Sequence, residues 1–312
     1  MHYSIFVWLS VLLVSYKISN AQYLRDSTRF IFPENEYALS DALIFSHYNQ
    51  METFPISLHK VFGIPEINLK SDTTKIPLFF DFGNNSDIVL TTAISEKLKY
   101  HILDTTFTYT PDGKIRGTVY SIVIPEFEVF GQQFINETAI LADWQIFATE
   151  PIHGLVGLNY LKSNCFSISY ARKQLAVSGN SIIETCDIPD DAVIALEKYE
   201  LHPSVVYFSG NIDEIRSVIY LDTGKNYSVI NKNLVDKAKI ISDKSGSFYP
   251  GTVYLDFGVF SFSIYYPRVG EINRNIDTEL PMGIEVGSDI LKYFHITVDR
   301  TKGKNDLIMF LN

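Results

Sequence analysis

Apolar and polar positions alternate with a period of two through "GTVYSIVIPEFEVFGQQF" and again through "GTVYLDFGVFSFSIYY". That period, broken by Gly turns, predicts half-buried strands joined as hairpins. Two other apolar runs behave differently. "IPLFFDFGNNSDIVL" and "SVIYLDTGKNYSVIN" each pass through aromatic and β-branched residues to an acid, Asp81 or Asp222, then a Gly, then a second apolar stretch. A lone buried carboxylate costs several kcal/mol unless it is paired or neutralised. Two such acids at the ends of apolar strands are therefore expected to meet.

The surroundings of these acids repeat. Pro65 and Pro203 open similar units of strand, polar turn, second strand, acid and Gly turn, and Ile88 and Val89 follow Asp81 at the offsets at which Val229 and Ile230 follow Asp222. Downstream, Gly157 and Gly287 anchor "HGLVGLNYLKSNCFSISY" and "MGIEVGSDILKYFHITVD"; Leu161 and Leu291 fall four residues on, Ile168 and Val298 eleven. The order of elements recurs as well as their type, which points to an internal duplication. Residues 51–185 form the expected first lobe and 186–312 the second, with the boundary in the acidic stretch "ETCDIPDDAVIALEKYELHP". Residues 22–50 read as an added strand, a packed arm or a propeptide-like segment.

The leader changes the compartment. Residues 1–21 hold a short apolar core from Ile5 to Tyr16 and a small-residue site at Ser19-Asn20-Ala21, the pattern of a secretory signal peptide, with an uncleaved anchor as the alternative. The protein is accordingly expected outside the cell, in a periplasm or in a secretory compartment. Cys165 and Cys186 either bridge a loop of about 20 residues or stay as two buried thiols. Of the sequons at Asn84, Asn136 and Asn226, the first and third lie beside the acids, where a glycan would obstruct a cleft.

Composition narrows the chemistry. Phe and Tyr number 22 and 19, which favours strands, and the net charge of −10 makes nucleic acid an unfavourable partner. The histidines lack paired metal spacing and no Gly-x-Ser-x-Gly elbow occurs, so neither a metal site nor a serine nucleophile is expected. "DFG" at Asp81 and at Asp256 has none of the other kinase elements beside it. Taken alone, an Asp-Thr-Gly is also an ordinary turn at a strand end.

An Asp on a hydrophobic strand, followed by Thr and Gly and later by apolar-Gly-x-x-x-Leu, resembles the aspartic peptidases of the pepsin-like and retropepsin-like clan. "YLDTGKN", "GLVGLNYL" and "EVGSDIL" carry the likeness, which covers most of the chain after about residue 55. The resemblance implies an all-β, pepsin-like acid protease fold with short helices. Its two retropepsin-like barrel lobes would be related by a pseudo-two-fold axis and would form a monomeric peptidase with no cofactor. It implies Asp81 and Asp222 as the catalytic dyad, supported by Gly83, Asn84, Thr223 and Gly224, with a flap at Tyr109 and the Asp112-Gly113 turn.

The first motif departs from the family pattern. Phe82 stands where a Thr or Ser hydroxyl would cross to the opposite loop. Asn84 and Lys225 replace the small residue after each Gly. Asn84 is a candidate to hydrogen-bond the carboxylate. Lys225 either favours ionisation of the dyad or points to solvent. Two main readings stand: a secreted aspartic endopeptidase, and a catalytically inactive homologue that binds a peptide or protein between the lobes. An unrelated extracellular β-sandwich is the third.

Overall fold

The structure, a computed structural model, describes residues 29–31, 51–84, 88–94, 96–109, 115–143, 152–161, 165–186, 188, 190, 193–196, 205–272, 279–301 and 305–311. The leader at 1–21 lies outside the described residues, and of the 22–50 segment only 29–31 is described.

The duplicated framework appears as the same chain path drawn twice. In the first lobe Pro65–Ser71 and Thr74–Phe80 form a hairpin. Gly154–Val156 then lies parallel to Thr74–Phe80 and antiparallel to Ile88–Thr91, which runs parallel to Gln132–Ala142. In the second lobe Val206–Ile212 and Ile215–Leu221 form the hairpin. Met282–Val286 lies parallel to Ile215–Leu221 and antiparallel to Val229–Asn231, which runs parallel to Arg268–Gly270. Direction and order agree at every step. The first lobe closes into a barrel where Lys70 pairs with Glu128. The second is a curled sheet of ten strands that does not close in this way.

Alternation decides which side chains fill each lobe. Ile76, Leu78 and Phe80 point into the first core; Ile219, Leu221, Ile284 and Val286 point into the second. All are fully buried, and each contributes about 1.5–3 kcal/mol relative to exposure. The intervening residues of the second lobe, Tyr207, Tyr220 and Met282, form a separate cluster on the other face of the sheet.

A third sheet joins the halves. Its order is Ile194–Ala195, Asp306–Leu311, Phe294–Asp299, Cys165–Ser169, Gln174–Ser178, Glu52–Pro55. Each lobe thus supplies one closing hairpin and one leading strand. The two hairpins meet with Ser167 opposite Thr297, and their hydroxyls lie 2.5 Å apart in the buried centre. The spacing from Ser167 to Thr297 equals that from Gly157 to Gly287, so equivalent residues touch on the pseudo-two-fold axis. Among the described residues of the leading segment, Arg29–Ile31 adds an antiparallel strand beside Ser261–Tyr265, on the second lobe.

The possible bridge between Cys165 and Cys186 is not formed. Both remain buried thiols, packed with Ile182, Ile183 and Ile308 where the helix Ile182–Thr185 meets the shared sheet. Burial and the nearby Asp299 carboxylate push the Cys165 thiol far above its ordinary pKa, so it holds its proton and is a poor nucleophile. The native protein is expected to show no reactive thiol toward an aromatic disulfide reagent. After denaturation without reductant, both cysteines should react; a disulfide would leave none.

Candidate active site

Each acid is placed by the same backbone device. The Asp81 N–H donates to Val156 O at 2.9 Å, and the Asp222 N–H donates to Val286 O at 3.0 Å. Each parallel neighbour strand therefore holds one acid just past its hairpin. Tight turns follow: the Asn84 N–H donates to Asp81 O, and the Lys225 N–H donates to Asp222 O, both at 3.2 Å. The Gly83 N–H also donates to Asp81 Oδ1 at 2.7 Å, which orients that carboxylate.

The two loops interlock across the lobe boundary. A Cβ on Gly83 would lie 2.6 Å from Asp222 Cγ, and one on Gly224 would lie 2.5 Å from Asp81 Oδ1. Real Cβ atoms do not approach so closely, so both positions require Gly. Each carboxylate thus sits against the opposite lobe's glycine, and the structure brings Asp81 and Asp222 together with Gly83 and Gly224. Asp222 is 2% exposed, and Asp81 is partly buried.

Thr223 supplies the directed part of the interlock. Its buried hydroxyl donates to Phe80 O at 2.7 Å and accepts from the Phe82 N–H at 2.9 Å, so one side chain holds the first lobe's loop from both sides of Asp81. The reverse grip does not exist, because Phe82 has no polar side-chain atom. Its ring is fully buried instead, edge-on to Phe80 at 5.3 Å and to Phe166 at 5.5 Å. The bulk that reads as a misfit in the motif is part of the first lobe's aromatic core.

Lys225 does not point to solvent. Its ammonium forms an ion pair with Glu285 on the strand Met282–Val286, and the two side chains are 13% and 7% exposed. Asn84 is buried, and its backbone N–H makes the turn to Asp81. Around the second loop, the Ser288 hydroxyl donates to Thr223 O at 3.0 Å. The Ser228 hydroxyl accepts from the Gly287 N–H and donates to Asp289 Oδ1. Ser228, Glu285 and Ser288 were not singled out in the sequence. The Ser288 and Glu285 positions could have been found only by aligning "EVGSDIL" with "GLVGLNYL" and asking which apolar positions had become polar.

Of the expected flap, the backbone of the hairpin His101–Tyr109 with Ile115–Val129 is present and pairs as far as Tyr109 opposite Ile115. Asp112 and Gly113 lie outside the described residues. Among the described residues, no three His, Cys, Asp or Glu side chains cluster as a metal site would require.

Two lobes of one topology, joined by a shared six-stranded sheet and carrying one acid each to the boundary, make a two-lobed pepsin-like fold. The crystal structure of the aspartic proteinase from Irpex lacteus is similar, with a TM-score of 0.51 and 11% sequence identity over 83% of this chain and 97% of that one. No protein-family model and no curated protein matches at the level of sequence.

Two outcomes follow from the interlock. Phe82→Thr restores a hydroxyl but empties a fully buried ring site; the cavity cost of about 3–5 kcal/mol exceeds the ~1 kcal/mol of a new hydrogen bond. The variant should therefore unfold at lower urea than the parent. Gly224→Ala should lower the melting temperature by more than an Ala placed at Gly179, where a Cβ meets nothing within 4 Å; equal losses would mean the carboxylate contact is not tight.

Proposed function

We propose that this protein is an aspartic-type endopeptidase, exported by its leader, that hydrolyses peptide bonds in the cleft between its lobes. The observation that carries this reading is the reciprocal contact in which each carboxylate sits against the other lobe's glycine. The proposed mechanism requires the two carboxylates to hold one proton between them.

The chemistry follows from that shared proton. The ionised carboxylate takes a proton from a water held between the acids, while the protonated one donates a hydrogen bond to the scissile carbonyl. The water oxygen bonds to the carbonyl carbon as the second acid passes its proton to the carbonyl oxygen, giving a tetrahedral diol with no covalent link to the protein. The first acid then passes the proton taken from water to the amide nitrogen, a diol hydroxyl returns a proton to the second acid, the C–N bond breaks, and the pair regains its starting charge. Peptide would lie extended across the cleft, its backbone bonded like an added strand. The hairpin His101–Tyr109 with Ile115–Val129 would cover it, with Tyr109, Asp112 and Gly113 at its end. The roles of Asp81 and Asp222 as the catalytic pair, and of Gly83, Asn84, Thr223 and Gly224 as loop support, belong to this proposal.

One observation favours a second reading. Thr223 grips the first loop, but Phe82 cannot grip the second. If that looseness abolishes catalysis, the same cleft binds a peptide or protein without cutting it.

The deciding assay uses the protein without residues 1–21, a pooled peptide library and buffers from about pH 3 to pH 7. Cleavage is expected from the parent and should be lost in both Asp81→Asn and Asp222→Asn. Cleavage that survives both substitutions would remove the proposed site. A folded parent that binds peptides and never cleaves them would establish the binding reading.

A further inference from the structure

The duplicated frame shows where the second lobe departs from the first. Register makes Val286 the equivalent of Val156, and Glu285 the equivalent of Leu155; the turns make Lys225 the equivalent of Asn84. The second lobe therefore carries a charge at two positions where the first carries none, and the two charges meet as a largely buried ion pair. Burying two charges is costly in itself and stabilises little over an apolar pair of similar volume. A gain in fold stability is a poor account of it.

Its position suggests another. Glu285 immediately precedes Val286, whose carbonyl accepts from the Asp222 N–H. Lys225 immediately follows Gly224, which lies against the Asp81 carboxylate. The Lys225 carbonyl also accepts from the Ser288 N–H at 2.7 Å. The pair thus ties the far end of the Asp222 loop to the strand that holds its near end. It sits on the face of the sheet toward the other lobe: Glu285 stands beside Tyr220 in register, and the Tyr220 hydroxyl lies 3.5 Å from Gly83 O.

We propose that Lys225 and Glu285 are positioning residues that fix the Asp222 loop from within the second lobe, replacing the anchor that a hydroxyl at position 82 would have given from the first. Thr223 holds the Asp81 loop across the boundary; the ion pair holds the Asp222 loop on its own side. The loops reach the same rigidity by different means. The proposal rests on the peptidase reading for its catalytic consequence and on the hydrogen-bond pattern alone for its structural one.

The test separates the two. Lys225→Met alone leaves Glu285 buried without its cation and is liable to unfold. The double variant Lys225→Met/Glu285→Leu replaces the pair with apolar groups and should melt no lower than the parent. In it, amide exchange at Asp222 and Ser288 is expected to quicken at least about tenfold. Its kcat should fall about tenfold to a hundredfold with KM changed less than about twofold, as for a displaced reacting group. Lys225→Arg, which keeps the charge, should retain exchange protection and most of kcat. A double variant with parental exchange rates at both amides overturns the proposal. Should the parent cleave nothing, the peptidase reading falls, and the exchange rates by themselves decide the anchor.

Discussion

Each lobe's acid occupies a space that exists only because the other lobe has no side chain there. This reciprocal fit of carboxylate against glycine is the constraint on which the rest of the architecture depends. Asp222 is buried at this contact, where an uncompensated carboxylate would be costly. The shared sheet serves the same end. By pairing Ser167 with Thr297 on the pseudo-two-fold axis, it sets the two halves in the one orientation that brings the loops face to face. Thr223 then adds direction, with a donor and an acceptor used on either side of Asp81.

What has stayed alike between the lobes and what has drifted differ in kind. The strand order, the sense of each pairing and the two bonds from Asp N–H to Val C=O are the same in both halves. These are main-chain features, and they survive almost any change of side chain short of Pro. The side chains have diverged toward two means of holding a loop. The first lobe uses aromatic packing, with Phe80, Phe82 and Phe166 in edge contact under Asp81. The second uses polar groups: Ser288, Ser228 and the Lys225–Glu285 pair. Apolar packing fixes a loop through the shape it excludes. Hydrogen bonds and ion pairs fix it through direction, which suits the loop that reaches across the boundary.

The fold was legible in the sequence because its signal is periodic. Strand alternation and the recurring Gly157/Gly287 and Ile168/Val298 offsets carry the duplication, while only the strand register shows that residues 167 and 297 are the equivalent pair that meets. The meeting of Asp81 and Asp222 was legible from the cost of a lone buried acid. Less was legible where an outcome depends on a partner distant in the chain. Lys225 looked like a charge aimed at the acids or at solvent; only the register of Met282–Val286 beside Ile215–Leu221 places Glu285 within its reach. Phe82 looked like a lost function because a motif records the group that is missing and not the core that the replacement fills. The two cysteines had suitable sequence spacing for a bridge, but spacing carries no geometry, and they remain packed thiols. The 29–31 segment proved to be an added strand, on the second lobe, which no local pattern indicates.

These points bear on how a degenerate motif should be weighed. A hydroxyl at position 82 would act only on the opposite loop, through its backbone. In the proposed function the groups that would touch a peptide and a water are the two carboxylates and the loops beside them, one set from each lobe. What Phe82 removes is therefore stiffness and not a reacting atom. Stiffness has more than one source: a hydrogen bond across the boundary, a packed ring, or an ion pair that spans the loop's own supporting strand. On the proposed reading, competence would be set by whether the Asp222 loop is held, by whatever means, rather than by how many letters of the motif remain. The ion pair beside Gly224 is the means proposed for this chain, since it joins the Asp222 loop to the strand that supports it.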